Sequence, residues 1–376
     1  MAPPPAQHRR SGDGTILFLY TFLAIVGIFT MRLLTQMTGN PPGYWEMFAS
    51  HALPDGTPIK KDYSGFRFFD EGLSFLVSAF MFGPLRYNEP YYWQQIHFLI
   101  QLLPIIAIMN VEACRERNQA SWLKYTAVWA FLYQNIGGAF IIPIWWAILH
   151  YRSSPSSYFQ TGRTVPLPYA RVILPATIVL YFIPTLAIWV PQDKNVVTLQ
   201  NVLAFWQFTP ILVNVPFWLI SLTGSPSTSA TKRNKDADIS HLKILYAFSF
   251  LVSVAVHWYI IYGISVSPHP DATYARVFVP STYTWNRDIP WGLLWIFQWD
   301  WAIISVMCII PAWVAVCDVQ RMRKGEASLE NIFESFLVIM TIAIGGGPGA
   351  ALSAVWFWRE GNLAAIENAS AAKKGQ

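Results

Sequence analysis

The stretch WGLLWIFQWDWAIISVMCIIPAWVAVC, residues 291–317, contains a single charged residue, Asp300. As a helix such a run exceeds the ~20 residues that cross the hydrocarbon layer of a bilayer. Its apolar residues are continuous rather than alternating, so it reads as helix and not as a barrel strand. Comparable apolar segments recur along the chain, at roughly 15–37, 68–85, 93–111, 122–150, 168–190, 198–222, 241–266, 291–318 and 328–358. The segment 68–85 is the shortest and opens with charges, which suits a re-entrant or tilted helix. The expected fold is therefore all-α: a polytopic integral membrane helical bundle with 8–9 transmembrane segments. It forms one transmembrane helical domain over 1–376, with flexible ends at 1–14 and 361–376.

Composition agrees. Of the 376 residues, charged types make up only 12%, against about 25% in soluble domains. The net charge of +5 reflects loop lysines and arginines, and no soluble basic domain exists to bind nucleic acid. Cys114, Cys308 and Cys317 show neither metal-ligand spacing nor a disulfide framework. Basic clusters at Lys232, Arg233 and Lys235 and at Arg321, Arg323 and Lys324 lie on one side if the helices between them both span. The positive-inside rule makes that side cytoplasmic. Arg32, near the end of the first segment, is expected to snorkel to the headgroups. Asn110 and Glu112 end the third segment and are expected at the interface.

An ionisable side chain at mid-membrane costs at least about 2.5–3.5 kcal/mol on insertion scales, so each one calls for a reason. Asp300 is the strongest case. Losing its proton would create a charge in an apolar medium, so the carboxyl is expected to keep it. Trp295, Phe297, Trp299 and Trp301 surround it in sequence, and aromatic faces stabilise positive charge. An acid beside aromatics is what protonation of an olefin or an epoxide needs; the alternative is a structural Asp bonded to another helix. Asp70 and Glu71 open the second segment, where Glu71 suits a local pair with Arg67 and Asp70 is a candidate partner acid. His257, in VSVAVHWYIIYG, either bonds within the core or orients the acid. Gln134 and Asn135 either glue helices or hold a substrate head group. Gly137 and Gly138 beside them allow close helix approach, and IGGGPGA (344–350) reads as a broken or tightly packed helix.

Several motifs are missing. No HxxHH box appears, as di-iron desaturases require, and no NDxxD or DDxxD, whose carboxylates hold magnesium in ionising terpene synthases. No cofactor and no metal site is expected.

Three stretches, FFDEGLSFLVSAFMFGP (68–84), YQNIGGAFIIPIWWAILHY (133–151) and FQWDWA (297–302), carry a resemblance. Together with length and span number, they make the chain similar to the fungal membrane-bound terpene cyclases of meroterpenoid secondary metabolism, of the ascochlorin and ascofuranone cyclase type. That resemblance implies metal-free cyclisation of a hydrophobic prenylated phenol or indole, often epoxidised, by a protein of the endoplasmic reticulum membrane. On this chain the donor would be Asp300, with Asp70 or Glu71 as second acid. The pocket would be lined by Tyr133, Trp206, Trp258, Trp299, Trp301, Phe297 and Gln298, with His257, Gln134 and Asn135 as polar contacts. The competing readings are a transporter for a hydrophobic metabolite, in which Asp and His relay protons, and a membrane acyltransferase using His257.

Overall fold

A computed structural model describes residues 9–190, 196–222, 235–325 and 328–374, all helix or connecting loop apart from one isolated bridge between Ala52 and Pro58. In order these are α1 Asp13–Thr38, α2 Tyr44–Ser50, α3 Arg67–Met81, α4 Glu89–Cys114, α5 Thr126–Ile136, α6 Gly138–Arg152 and α7 Leu167–Ala187. There follow α8 Val196–Trp206, α9 Thr209–Leu222, α10 Asp238–Val266, α11 Tyr274–Phe278, α12 Ile289–Lys324, α13 Leu329–Gly346 and α14 Pro348–Lys374. Lys232 and Arg233 lie outside the described residues.

The helix α4 is the axis of the molecule. The side chain of Asn88 caps it by accepting from the Tyr91 N–H at 2.9 Å, and Pro90 sits in its first turn, where a missing N–H is harmless. Its most apolar stretch is 100% buried, so its polar residues must find partners on neighbouring helices. Gln94 donates to the Phe297 carbonyl of α12 at 2.9 Å, and Gln101 to the Ser253 carbonyl of α10 at 3.0 Å. The Leu99 carbonyl accepts from the Tyr181 hydroxyl of α7 at 2.6 Å.

Six helices are long and apolar enough to cross a bilayer: α1, α4, α7, α10, α12 and α13. A seventh counts if the bent pair α8–α9 is one span. The difference from eight or nine has two sources: 122–150 is broken at a glycine into two short helices, and α3 is too short, while a second glycine break splits 328–358 without removing the span α13. At Gly137 the backbone takes φ +129° and separates α5 from α6. Both outer ends of this hairpin lie on one side. Thr126, at the start of α5, bonds Asn214, and Arg152, at the end of α6, donates to the carbonyl of Arg117, just ahead of α5. The second break is Gly347, at φ +90°, between α13 and α14. Gln101 holds that tip by accepting from the Gly349 N–H at 2.8 Å. A Cβ on Gly347 would come within 2.5 Å of the Gln101 amide nitrogen, so the tip admits no side chain. The short α3, 15 residues long, spans about 22 Å and falls short of a ~30 Å hydrocarbon layer.

Charges gather at the end of the bundle where these hairpins begin and finish. Arg10 pairs with Asp318 of α12 at 2.5 Å and donates to Ser153, which fixes the start of α1 against the ends of α6 and α12. Glu112, expected at an interface, is fully buried. It pairs with Arg115 at 3.0 Å and with Arg359 of α14 at 2.7 Å, and Arg115 also pairs with Glu360. Arg163 pairs with Asp238 of α10 at 2.9 Å. The helix α14 continues to Lys374, with Leu363 and Ile366 buried, across most of the stretch 361–376 expected to be a free end.

Candidate functional site

The sequence positions of α12 decide what lies at the centre. Side chains adjacent in a helix leave it about 100° apart, whereas those three or four apart share a face. Leu293, Ile296, Phe297, Asp300 and Ile304 follow that spacing and form one wall of a cavity of about 580 Å³. This is within the range of small-molecule sites, about 300–1,000 Å³. The other walls are aromatic and apolar: Tyr44 and Trp45 of α2, Phe75 and Phe80 of α3, Phe98 and Leu102 of α4, and Trp206 of α8. The rings of Phe80 and Phe297 meet edge to face, with centroids 4.9 Å apart.

The broken hairpin forms the polar part of the wall. Two half-helices meeting at Gly137 present unsatisfied carbonyls at the end of α5 and unsatisfied N–H groups at the start of α6. Each set is met by a polar side chain from another helix. Arg32, which lies in a π-bulge of α1 at Phe29–Leu33, donates to the Asn135 carbonyl at 3.0 Å and the Ile136 carbonyl at 3.1 Å. The Asp300 Oδ1 accepts from the Ala139 N–H at 2.5 Å. Asp300 has no ion-pair partner among the described residues, and the Gly138 N–H beside Ala139 also bonds its carboxyl. A Cβ on Gly138 would lie 2.6 Å from Ile304 Cδ1 and 3.1 Å from Asp300 Oδ1. Gly138→Ala is therefore expected to push the carboxyl away from Ala139 and lower turnover at least tenfold, about 1.4 kcal/mol. Initial rates on membranes with matched protein levels check this, and parental turnover would contradict it.

Of the residues singled out in the sequence, Asp300, Phe297, Tyr133, Gln134 and Trp206 converge on this cavity. Gln134 is steadied by donating to the Gln207 carbonyl at 3.1 Å, and Trp206 by donating to Thr185 Oγ1 at 2.9 Å. The tryptophans flanking Asp300 turn elsewhere, as the 100° step requires. Trp299 packs against a separate cluster of Met31, Ala139 and Ile303, and Trp301 donates to His97 Nδ1 at 3.1 Å. Gln298 donates to the Arg276 and Val277 carbonyls at 2.7 and 3.1 Å. Asn135 bonds its own helix at the Phe131 carbonyl, and Trp258 is exposed on the outer face of α10. His257 lies outside the cavity with both ring nitrogens engaged. Nδ1 is 3.1 Å from His97 Nε2, and Nε2 is 3.0 Å from the Ile344 carbonyl. Since the Trp301 indole can only donate, His97 Nδ1 accepts and its Nε2–H points to His257. That leaves His257 no free nitrogen for acyl transfer.

The two acids of α3 are also apart from Asp300. Glu71 is exposed and pairs with Arg67 at 2.9 Å. Asp70 closes a loop, with Oδ1 accepting from Ser64 N–H and Oγ–H at 2.9 and 2.7 Å and Oδ2 from Gly65 N–H at 2.9 Å. Burial works against its charged form, but these hydrogen bonds outweigh burial and hold the carboxyl below its usual range. A carboxylate with a depressed value supports the fold at neutral pH, and that support disappears as pH falls through the lowered value. Asp70→Asn is expected to speed amide hydrogen exchange across residues 63–66 and to change turnover far less than substitution at Asp300. Abolished turnover would place Asp70 in the chemistry instead.

Sequence reasoning missed Arg32, Gln36, Asn40, Tyr44, Phe75, Phe80 and Phe98 as wall residues. The π-bulge that carries Arg32 has no sequence mark. Spacing along α4 gives no face either, because that helix is buried all round. Among the described residues no group of three or more His, Cys, Asp or Glu side chains is placed to hold a metal, and of the described residues that line the cavity Asp300 alone carries a carboxyl.

A family model described as the CtvD domain matches residues 15–363. The chain belongs to the CtvD family. Among curated proteins, this CtvD-family chain is 25% identical to terpene cyclase ascI of Acremonium egyptiacum, covering 81% of each chain. It is 26% identical to terpene cyclase DEP1 of Alternaria brassicicola, covering 92% of this chain and 98% of the relative. It is also 26% identical to the FAD-dependent monooxygenase verC1 of Penicillium polonicum, there covering 69% of this chain but only 31% of the relative. No solved structure matches the CtvD-family chain.

Proposed function

We propose that this protein is an integral membrane terpene cyclase that closes rings by Brønsted-acid initiation, with Asp300 as the proton donor. The observation that carries the reading is the placement of one carboxyl in the wall of an aromatic cavity, held through Oδ1 by a backbone N–H. A neutral acid accepts such a bond through its carbonyl oxygen and keeps its proton on the other oxygen. Full-length relatives named terpene cyclases support the activity. The monooxygenase relative supports a precursor that has been oxygenated.

The substrate is a prenylated, hydrophobic precursor carrying a terminal epoxide or olefin. For the epoxide, the Asp300 proton passes to the ring oxygen and the C–O bond breaks, leaving positive charge on the substituted carbon. The electrons of the nearest double bond close the new C–C bond. The final cation loses a proton to the Asp300 carboxylate, so the product has the mass of the substrate and the acid is restored. Phe80, Phe98, Phe297 and Trp206 supply ring faces that stabilise the travelling charge. The shape of the cavity folds the polyene, and that positioning supplies the larger part of the rate.

On this reading the cavity lies within the bilayer, which the length and apolarity of six helices support. The end of the bundle that carries Arg10, Arg115, Arg163 and Arg321 faces the cytoplasm of an endoplasmic reticulum membrane. The test is to express the chain in yeast microsomes and supply a panel of epoxidised prenyl phenols without added metal. Cyclic isomers of unchanged mass are expected. Failure to convert any member of the panel, or products heavier by water or oxygen, would contradict the proposal.

A further inference from the structure

The buried tyrosines around the cavity are not equivalent. Tyr44 donates to the Phe75 carbonyl at 2.8 Å, Tyr91 to the Ala79 carbonyl at 2.9 Å and Tyr181 to the Leu99 carbonyl at 2.6 Å. Tyr133 lines the cavity and is only 7% exposed, yet its hydroxyl has no hydrogen-bond partner among the described residues. Unlike the hydroxyl of Tyr63, which is sealed without a partner among the described residues, the Tyr133 oxygen opens onto the cavity and is free to bond what fills it. The Tyr133 carbonyl accepts from the Gly137 N–H at 3.1 Å, so this residue forms the last turn of α5 before the break. Across the break, the Ala139 N–H holds Asp300. Tyr133 and Asp300 thus flank one hairpin tip, with the tyrosine about 6 Å of helix rise from the glycine.

We infer that the Tyr133 hydroxyl donates a hydrogen bond to a substrate oxygen at the end of the chain that meets Asp300. An epoxide oxygen has two lone pairs and accepts from both groups at once, whereas an olefin accepts from neither. Tyr133 then selects an oxygenated terminus and draws electron density from the C–O bond that opens. The assignment rests on the cyclase reading for the choice of substrate end, and its test is a binding measurement that needs no turnover.

The probes are two farnesylated phenols, one ending in an epoxide and one in the plain olefin, equilibrated with protein in lipid nanodiscs. The parent should bind the epoxide more tightly than the olefin, and Tyr133→Phe should cut that preference about three- to tenfold, the range of one hydrogen bond, leaving the share that Asp300 supplies. The variant removes a hydroxyl with no protein partner among the described residues, so it should fold as the parent does. A Phe variant that keeps the parent's full preference, or a parent that has none, overturns the inference. A parent that shows the preference but releases no cyclic isomer upholds the role of Tyr133 and counts against the cyclase reading instead.

Discussion

Replacing Asp300 by asparagine is expected to lower the rate of cyclic isomer formation by about 10²–10⁴-fold, the range for loss of a general acid. The substitution is nearly isosteric. The amide oxygen can still accept from the Ala139 N–H that now holds Oδ1, so α6 keeps its cap and the cavity its shape. What is lost is the proton. The Michaelis constant should therefore move little while the turnover number collapses, the signature of an interaction made in the transition state. Initial rates on microsomes with matched protein content check this. A variant within about threefold of the parent, ~0.65 kcal/mol, would remove Asp300 from the chemistry while leaving family membership untouched.

The second large effect concerns stability rather than catalysis. Arg115 is fully buried and pairs with Glu112 of α4 and Glu360 of α14, both also fully buried. Replacing it with leucine leaves two carboxylates out of water with a cation missing. Breaking a buried pair in this way costs about 3–5 kcal/mol. Arg115→Leu should lose most of its folded fraction in detergent, read from thermal melts and from trypsin resistance of α14. Because the cluster lies at the charged end of the bundle and not in the cavity wall, the remaining folded protein should cyclise at the parental rate per molecule. A melt unchanged from the parent would show that the ionic cluster is not what holds α14 to α4.

The fold class was legible because bilayer-length apolar runs leave few alternatives to helix. The run 344–350 reads equally as a broken or a tightly packed helix, and φ +90° at Gly347 decides for the break. The break at Gly137 was no more legible: Gly137 and Gly138 also fit close packing of an intact helix, and only φ +129° at Gly137 separates the two. Asp300 stood out as a charge in a run without another, but adjacency in sequence pointed to Trp299 and Trp301, whereas helix geometry puts Phe297 and Ile304 on its face. The same geometry explains why Trp299 and Trp301, its immediate neighbours, point to other partners. Asp70 was ambiguous because its partners, Ser64 and Gly65, lie in a loop whose path no periodicity predicts. Glu112 sits where a helix end would usually meet water, and Arg359 and Glu360, which cover it, are far away in sequence.

The central claim is that the Asp300 carboxyl holds a proton at neutral pH while bonded through one oxygen to Ala139. Infrared difference spectroscopy between the parent and Asp300→Asn, in lipid and at neutral pH, tests it most directly. The account predicts a carbonyl stretch of a neutral carboxylic acid that is present in the parent, absent in the variant and shifted in heavy water. A difference spectrum showing only the paired stretches of an ionised carboxylate would contradict it.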